Sequence, residues 1–293
     1  MINKRKSEEI ESIVFDALSK SNSLGVFPTP VDKVLKYADL RVNSGVDLAK
    51  VPINLIPKLS HVVKRGIAKI RGVLDRREKV IYLDFTQHTS KLRFVQLHEV
   101  GHELCSWQGN LLSFLDDDET LDVDIKEKFE AEANYFASAS LFQLGIFSDK
   151  MAELPLDIAT PIQLSKIFGS SIHASLRRYV EKSRKRCALL VLDKENKGKF
   201  DIPRLNVRNY FQSKSFTAEW GEIEWETTLD FGVPFVQDFL SRRRFLKSEL
   251  SIDLVHESID CTYHYFDNGY NIFILMYPKG ETIKTKTTFV INN

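Results

Sequence analysis

Cysteine is scarce in this chain: three among 293 residues, at Cys105, Cys187 and Cys261, odd in number and widely spaced. No disulfide framework follows, and a reducing compartment is the simpler setting. Glycine (13) and proline (9) are too few for a fibrous or low-complexity chain, and 43% hydrophobic with 28% charged residues reads as globular. An excess of one charge is missing as well. With 41 Lys+Arg against 40 Asp+Glu the formal net charge is +1, so no overall field advertises a nucleic-acid or membrane partner. No apolar run approaches the roughly 18 to 20 residues of a membrane span. The basic start Met1-Ile2-Asn3-Lys4-Arg5-Lys6 leads into Ser7-Glu8-Glu9-Ile10-Glu11 rather than into the apolar core of a signal peptide. Together these absences predict a cytoplasmic protein, of one large domain or two ordinary ones.

What is present is an ordered series of elements. Ile10, Ile13, Val14 and Leu18 share one face of a helix over 7–20, and Phe27-Pro28-Thr29-Pro30 breaks it before a second helix through Val34 and Leu35. A mixed basic segment over 58–69 reads as a helix broken at Gly66. Strands are expected over 70–74 and 79–85, joined by the charged turn Asp75-Arg76-Arg77-Glu78. A helix then begins after Thr89-Ser90, an acidic loop surrounds Asp116-Asp117-Asp118, and a helix rich in alanine follows over 124–142. Two short helices over 161–182 flank Gly169-Ser170-Ser171, with no internal repeat anywhere. From Cys187 the composition shifts to strand-like runs over 188–192, 222–228, 260–265 and 270–277, the last two flanking the hairpin signal Asp267-Asn268-Gly269. A helix is expected from Pro234 to Leu246.

The chemistry-bearing motif is His98-Glu99-Val100-Gly101-His102. Four residues turn a helix about 40° past a full revolution, so both imidazoles project from one face within reach of one ion. Neutral imidazole nitrogens are favoured ligands of zinc. Glu99 stands about 100° round from His98, beside such an ion rather than on it, where a general base can take the proton of an attacking water. Gly101 leaves room for a substrate or a neighbouring backbone. A helix that carries these residues by chance is the competing reading, since so short a pattern recurs without function.

A third ligand is sought on the later helix. Glu132 lies three residues after Phe129 and four before Phe136, on their apolar stripe. A carboxylate buried there is costly unless it is paired or binds a metal, which nominates Glu132; a salt bridge or partial exposure is the alternative. Glu130, about 200° away, is expected to be solvated. Alanines at 131, 133, 137 and 139 allow close helix packing.

At this point the sequence resembles the ImmA/IrrE metallo-endopeptidases. The matching pieces are Phe27-Pro28-Thr29-Pro30-Val31-Asp32, the hairpin from Gly72-Val73-Leu74 to Ile81-Tyr82-Leu83, and Arg93-Phe94-Val95-Gln96-Leu97 running into the histidine motif. Glu130-Ala131-Glu132-Ala133-Asn134-Tyr135-Phe136-Ala137 and Leu164-Ser165-Lys166-Ile167-Phe168-Gly169-Ser170-Ser171 continue the likeness, which runs over residues 26–182. It departs in the long acidic linker after the histidines and in Ser138-Ala139-Ser140-Leu141-Phe142-Gln143, where a more aliphatic ending is expected. The resemblance implies His98, His102 and Glu132 as metal ligands, Glu99 as catalytic base, and zinc as the ion, with manganese compatible with the same ligand types. It also implies a protein substrate, a helix-turn-helix transcriptional repressor whose cleavage releases stress-response or mobile-element genes. The alternative function is a metal-stabilised regulator that binds a repressor or DNA without cutting.

The expected fold class is α+β: a zincin-like minimal peptidase core of helices with a small antiparallel sheet, then a helical pair and a strand-rich C-terminal α/β domain. The expected divisions are 1–25 for an N-terminal helix and tail, 26–182 for the peptidase domain, and 183–293 for a sensory or partner-binding module. The 161–182 segment looks like a helix-turn-helix, and Arg177, Arg178, Lys182, Arg184, Lys185 and Arg186 make it basic. No base-reading constellation accompanies it, so direct nucleic-acid binding is not expected. Strand 79–85 is expected to hold an extended substrate; the sequence does not identify the oxyanion donor, and for Arg93 and Tyr135, the candidates beside the motifs, ordinary packing or surface roles are the expectation. Cys105 shares the histidine face, where a small core residue is the expectation over a fourth ligand. His61 and His88 are expected to play no part.

Overall fold

The computed structural model describes residues 2–50, 72–109, 123–194, 204–254 and 257–281. The expectations for 51–71 and 116–119 lie outside them. The fold is α+β, 46% helical and 25% strand, in two compact units: 1–147 with 166–171, and 148–165 with 172–293.

In the first unit α1 (Lys4–Lys20) starts at Asn3, whose side chain accepts the Lys6 N–H at 2.8 Å. Its apolar face buries Ile10, Val14, Ala17 and Leu18. Helix α2 (Val31–Tyr37) has Pro30 as its N-cap rather than inside its first turn. Strands β1 (Arg41–Asp47), β2 (Gly72–Asp75) and β3 (Val80–Leu83) form a mixed sheet in the order β1-β3-β2. The expected β2–β3 hairpin is antiparallel, and β1 adds to it in parallel. Its turn is closed by the Asp75 carboxylate, which accepts the Arg77 and Glu78 N–H groups at 3.0 and 3.1 Å. Because β3 is central, both its edges are occupied, and the strand expected to hold substrate has no main chain to offer.

Helices α3 (Thr89–Leu104) and α4 (Val123–Leu141) pack on one another, and α1 covers α4. Gly101 sets their spacing. A Cβ at that position would sit 3.0 Å from Phe136 Cβ and 3.2 Å from Ala133 Cα. The room it leaves is therefore taken by a neighbouring helix. After α4, Gln143 is fully buried. Its Oε1 accepts the Gly25 N–H at 2.7 Å, and its Nε2 donates to Ser23 and Val26 carbonyls at 3.1 and 2.8 Å. The residue that departs from an aliphatic ending thus ties down the turn before α2. Phe168, from the returning segment, meets Phe27 and Phe147 with ring centroids 4.8 and 5.2 Å apart.

The chain also forms α5 (Ile146–Ala152), α6 (Ala159–Phe168) and α7 (Ile172–Lys182). The second unit is built on an antiparallel sheet of β4 (Ala188–Lys194), β5 (Leu205–Gln212), β6 (Thr228–Leu229), β7 (Phe245–Asp253), β8 (Ser258–Asp267) and β9 (Asn271–Pro278), in the order β6-β5-β4-β9-β8-β7. Helices α8 (Lys214–Trp220) and α9 (Pro234–Leu240) bring Phe216 and Phe235 into the core with Leu190, Tyr263 and Ile274. The hairpin at Asp267-Asn268-Gly269 forms, with Gly269 at φ 93°. Of the strand expected over 222–228 only Thr228 joins the ladder, as the first residue of Thr228–Leu229. The helix expected to run to Leu246 stops at Leu240, and Phe245–Asp253 is a strand.

Candidate metal and catalytic site

The two histidines do converge. On α3 their Nε2 atoms face each other at 3.0 Å. His98 Nδ1–H donates to Asn134 Oδ1 at 3.2 Å, and His102 Nδ1–H donates to Gln108 Oε1 at 2.8 Å. With each Nδ1 committed to an amide oxygen, two nitrogen lone pairs point at one place, and only a positive species reconciles them there. A proton answers that demand in part. Burial pushes His98 down to about 3, whereas at His102 the hydrogen bond to Glu130 and the charges of Glu99 and Glu130 outweigh burial and raise its affinity for a proton. A divalent metal ion answers it better, since it accepts both lone pairs at once and brings in a carboxylate.

That carboxylate is Glu130. Its Oε2 lies 3.5 Å from His98 Nε2 and its Oε1 3.5 Å from His102 Nε2. One ligand atom from each of the three residues falls within 4.8 Å of the others. Glu130 is half exposed, at 50%, so the group is open to solvent on its side. Glu132, the expected third ligand, is not brought to the histidines. It is buried on α4, as its place on the apolar stripe required, but its Oε2 accepts Trp107 Nε1–H at 2.7 Å and Gln108 Nε2–H at 2.9 Å. Burial of a carboxylate demanded partners, and two neutral N–H donors supply them here. Glu132 is the buried acid that its place on the stripe predicts, and the partners of its Oε2 in this structure are Trp107 and Gln108.

Glu99 is buried beside the histidines and accepts the backbone N–H of Leu74 in β2. Burial, the largest influence, raises its carboxyl to about 7; Glu130 adds to this, while His102 and Arg76 oppose it. A carboxylate so placed is poised to accept and release a proton near neutrality. Strand β2 comes this close because Gly72 has no side chain: a Cβ there would lie 2.2 Å from Val95 Cγ1 and 3.4 Å from Glu99 Oε1.

Arg93 and Tyr135, considered as oxyanion donors, are engaged elsewhere. Arg93 Nη1 reaches the Gly169 carbonyl at 3.5 Å, and Tyr135 Oη donates to Glu11 at 2.6 Å. Arg76 is the cation beside the site, donating from Nη2 to the His102 carbonyl at 2.9 Å. Its position in a surface-like turn gave no sign of this. Cys105 is a buried thiol raised to about 12, chiefly by burial, which fits the expected core residue. His88 caps α3, its Nδ1 accepting the Ser90 N–H at 3.2 Å. His61 lies outside the described residues. In the basic segment Arg177 pairs with Glu181 at 2.7 Å, and Arg186 pairs with Glu281 at 2.8 Å and Glu219 at 3.2 Å.

Among the described residues, no helix is long and apolar enough to cross a membrane. A family model described as IrrE N-terminal-like domain (Peptidase_M78) matches residues 59–179, a span that contains every residue of the cluster. Among solved structures, the chain is similar to a Mycobacterium tuberculosis transcriptional regulator at 13% identity and a TM-score of 0.55, over 92% of this chain and 76% of that one. At that identity the likeness is one of fold. No curated protein matches the chain. The histidine pair and its carboxylate thus lie within residues 59–179, the stretch that matches the IrrE N-terminal-like domain model, and this match supports an ImmA/IrrE assignment of that part of the chain.

Proposed function

We propose that the protein is a cytoplasmic zinc-dependent endopeptidase in which His98, His102 and Glu130 hold the metal and Glu99 is the general base. Its substrate is a helix-turn-helix transcriptional repressor. The observation that carries the reading is the meeting of three ligand atoms within 4.8 Å, with the Glu99 carboxyl buried alongside. Manganese suits the same nitrogen and oxygen donors. A divalent cation at this position supplies Lewis acidity, polarising the scissile carbonyl and acidifying an attacking water.

The remaining work falls to the chain. Glu99, held by the Leu74 N–H, takes the proton from the attacking water and hands it to the leaving amine nitrogen. Arg76, beside Glu99, is the cation available to the developing oxyanion. Strand β2 replaces β3 as the strand that holds substrate. It lies at the edge of its sheet, and no strand pairs with its outer side among the described residues. An extended peptide that pairs there runs past Glu99.

The repressor as substrate is supported by the family resemblance, and a transcriptional regulator among similar folds is in keeping with it by analogy. The peptidase domain in this reading spans 26–182, and 183–293 serves as a sensory or partner-binding module. The test is incubation of purified protein and zinc with the product of a neighbouring helix-turn-helix gene, beside the Glu99→Gln variant. Fragments from the wild type alone support the reading. Equal relief of repression by both proteins without any fragment means a non-cleaving regulator.

A further inference from the structure

Glu132 is too well placed to be an idle buried acid. Gln108, fully buried on the helical segment 106–109, lies between it and His102. The amide of Gln108 donates from Nε2 to Glu132 Oε2 at 2.9 Å and to the Phe129 carbonyl at 3.4 Å. Both are acceptors without a hydrogen to give, so the NH2 end of the amide must face them. Its oxygen is thereby turned to His102, 2.8 Å from Nδ1. An amide oxygen only accepts, so His102 carries its hydrogen on Nδ1 and presents the lone pair of Nε2 to Glu130 and His98. The second hydrogen bond to Glu132, from Trp107, fixes the carboxylate itself, and Lys6 Nζ caps the indole 3.7 Å from the ring centroid.

We propose that Glu132 is a positioning residue for the metal site, acting through Gln108 to fix the tautomer and ring orientation of His102. The inference rests on the metal-site reading above and assigns a role within it. His98 has a simpler arrangement, a single amide acceptor from Asn134. Only the His102 side depends on a buried acid two bonds of the network away. Partners of this kind typically contribute about 10- to 100-fold in metal affinity.

The experiment is a zinc titration against a chromophoric chelator. It compares the wild type with Glu132→Ala, Gln108→Ala, their double variant, Glu132→Gln, Trp107→Phe and His98→Ala. Glu132→Ala and Gln108→Ala are each expected to weaken zinc binding about 10- to 100-fold, and the double variant no further than the weaker single, because one relay is broken once. Glu132→Gln restores affinity, since an amide oxygen still accepts from Gln108. Trp107→Phe, which leaves the Gln108 hydrogen bond to Glu132 in place, weakens zinc binding less than Glu132→Ala does. In the zinc-loaded protein, Gln108→Ala also exposes the His102 Nδ1–H to rapid solvent exchange by NMR, while the His98 Nδ1–H keeps its protection. Additive losses, or wild-type affinity in Glu132→Ala, overturn the relay. If Glu132→Ala does not fold, Gln108→Ala and Glu132→Gln decide by affinity and by the His102 resonance. Wild-type affinity in His98→Ala instead overturns the metal site itself, a separate failure.

Discussion

Gly72 lies so close to Val95 that a Cβ built on it would come within 2.2 Å of the Val95 Cγ1 atom. Val95 is fully buried on α3 and branched at Cβ, so it cannot swing aside. The contact seats β2 against the helix of the histidines and brings the Leu74 N–H to Glu99. Gly72→Ala is expected to cost about 1–3 kcal/mol in urea unfolding and to lower peptidase turnover. Adding Val95→Ala to it should recover part of the turnover. Stability unchanged in Gly72→Ala would mean that the strand and helix can move apart freely.

Glu130→Gln and Glu132→Gln separate the two acids. Removing the ligand charge at Glu130 should weaken zinc by at least about 10-fold, while Glu132→Gln keeps its acceptor and binds nearly as the wild type does. Chelation of the ion should lower the melting temperature of the wild type and leave that of His98→Ala unchanged. The reverse order of the two glutamine variants would return the ligand role to Glu132.

Gly101 tests the spacing of α3 and α4. Alanine there gains roughly 0.5–1 kcal/mol of helix propensity, which offsets a squeeze of a few tenths of an ångström against Phe136 and Ala133. Near-neutral stability is expected. Gly101→Val cannot be accommodated, because one of the atoms in its way is backbone. It should lose about 1–3 kcal/mol together with zinc affinity, since helix spacing sets the distance from the histidines to Glu130.

Gln143→Ala should destabilise the first unit by roughly 1–3 kcal/mol, because the Ser23 and Val26 carbonyls and the Gly25 N–H lose their partner. Denaturant melts read this directly. Zinc affinity measured well below the midpoint should stay near that of the wild type, since Gln143 touches none of the proposed ligands.

Burial raises the thiols of Cys105, Cys187 and Cys261 to about 12. A thiol-specific reagent at neutral pH should therefore label none of them in the native protein and three on denaturation. Rapid labelling of Cys105 in the native state would reopen its case as a ligand.

Much of this was legible along the chain. His98 and His102 declare themselves by a four-residue spacing that any helix converts into one face, and Glu99 by its offset from them. The helices over 7–20 and 124–142 and the hairpins at 75–78 and 267–269 are local matters, governed by periodicity and turn chemistry. The strand Arg41–Asp47 was not visible. Its Asn43-Ser44-Gly45 centre has no strand character, and it is ordered by parallel pairing with β3. That pairing made β3 central and left β2 at the edge. Strand β7 alternates exposed residues with partly buried or buried ones, and Leu246, Leu250 and Ile252 carry its period-two signal; the expected helix ran over its start, and pairing with β8 fixes the strand.

The choice between Glu130 and Glu132 marks the boundary most clearly. Helical spacing alone puts two imidazoles and a base on one helix and turns Glu132 inward on another. Which carboxylate meets the histidines depends on how α4 is rotated and how closely it approaches α3, and Gly101 and Ala133 decide that across 32 residues of chain. The identity of the partner awaiting Glu132 likewise depends on Trp107 and Gln108 being folded back over it. Periodicity places a side chain on a face; only packing decides what that face meets.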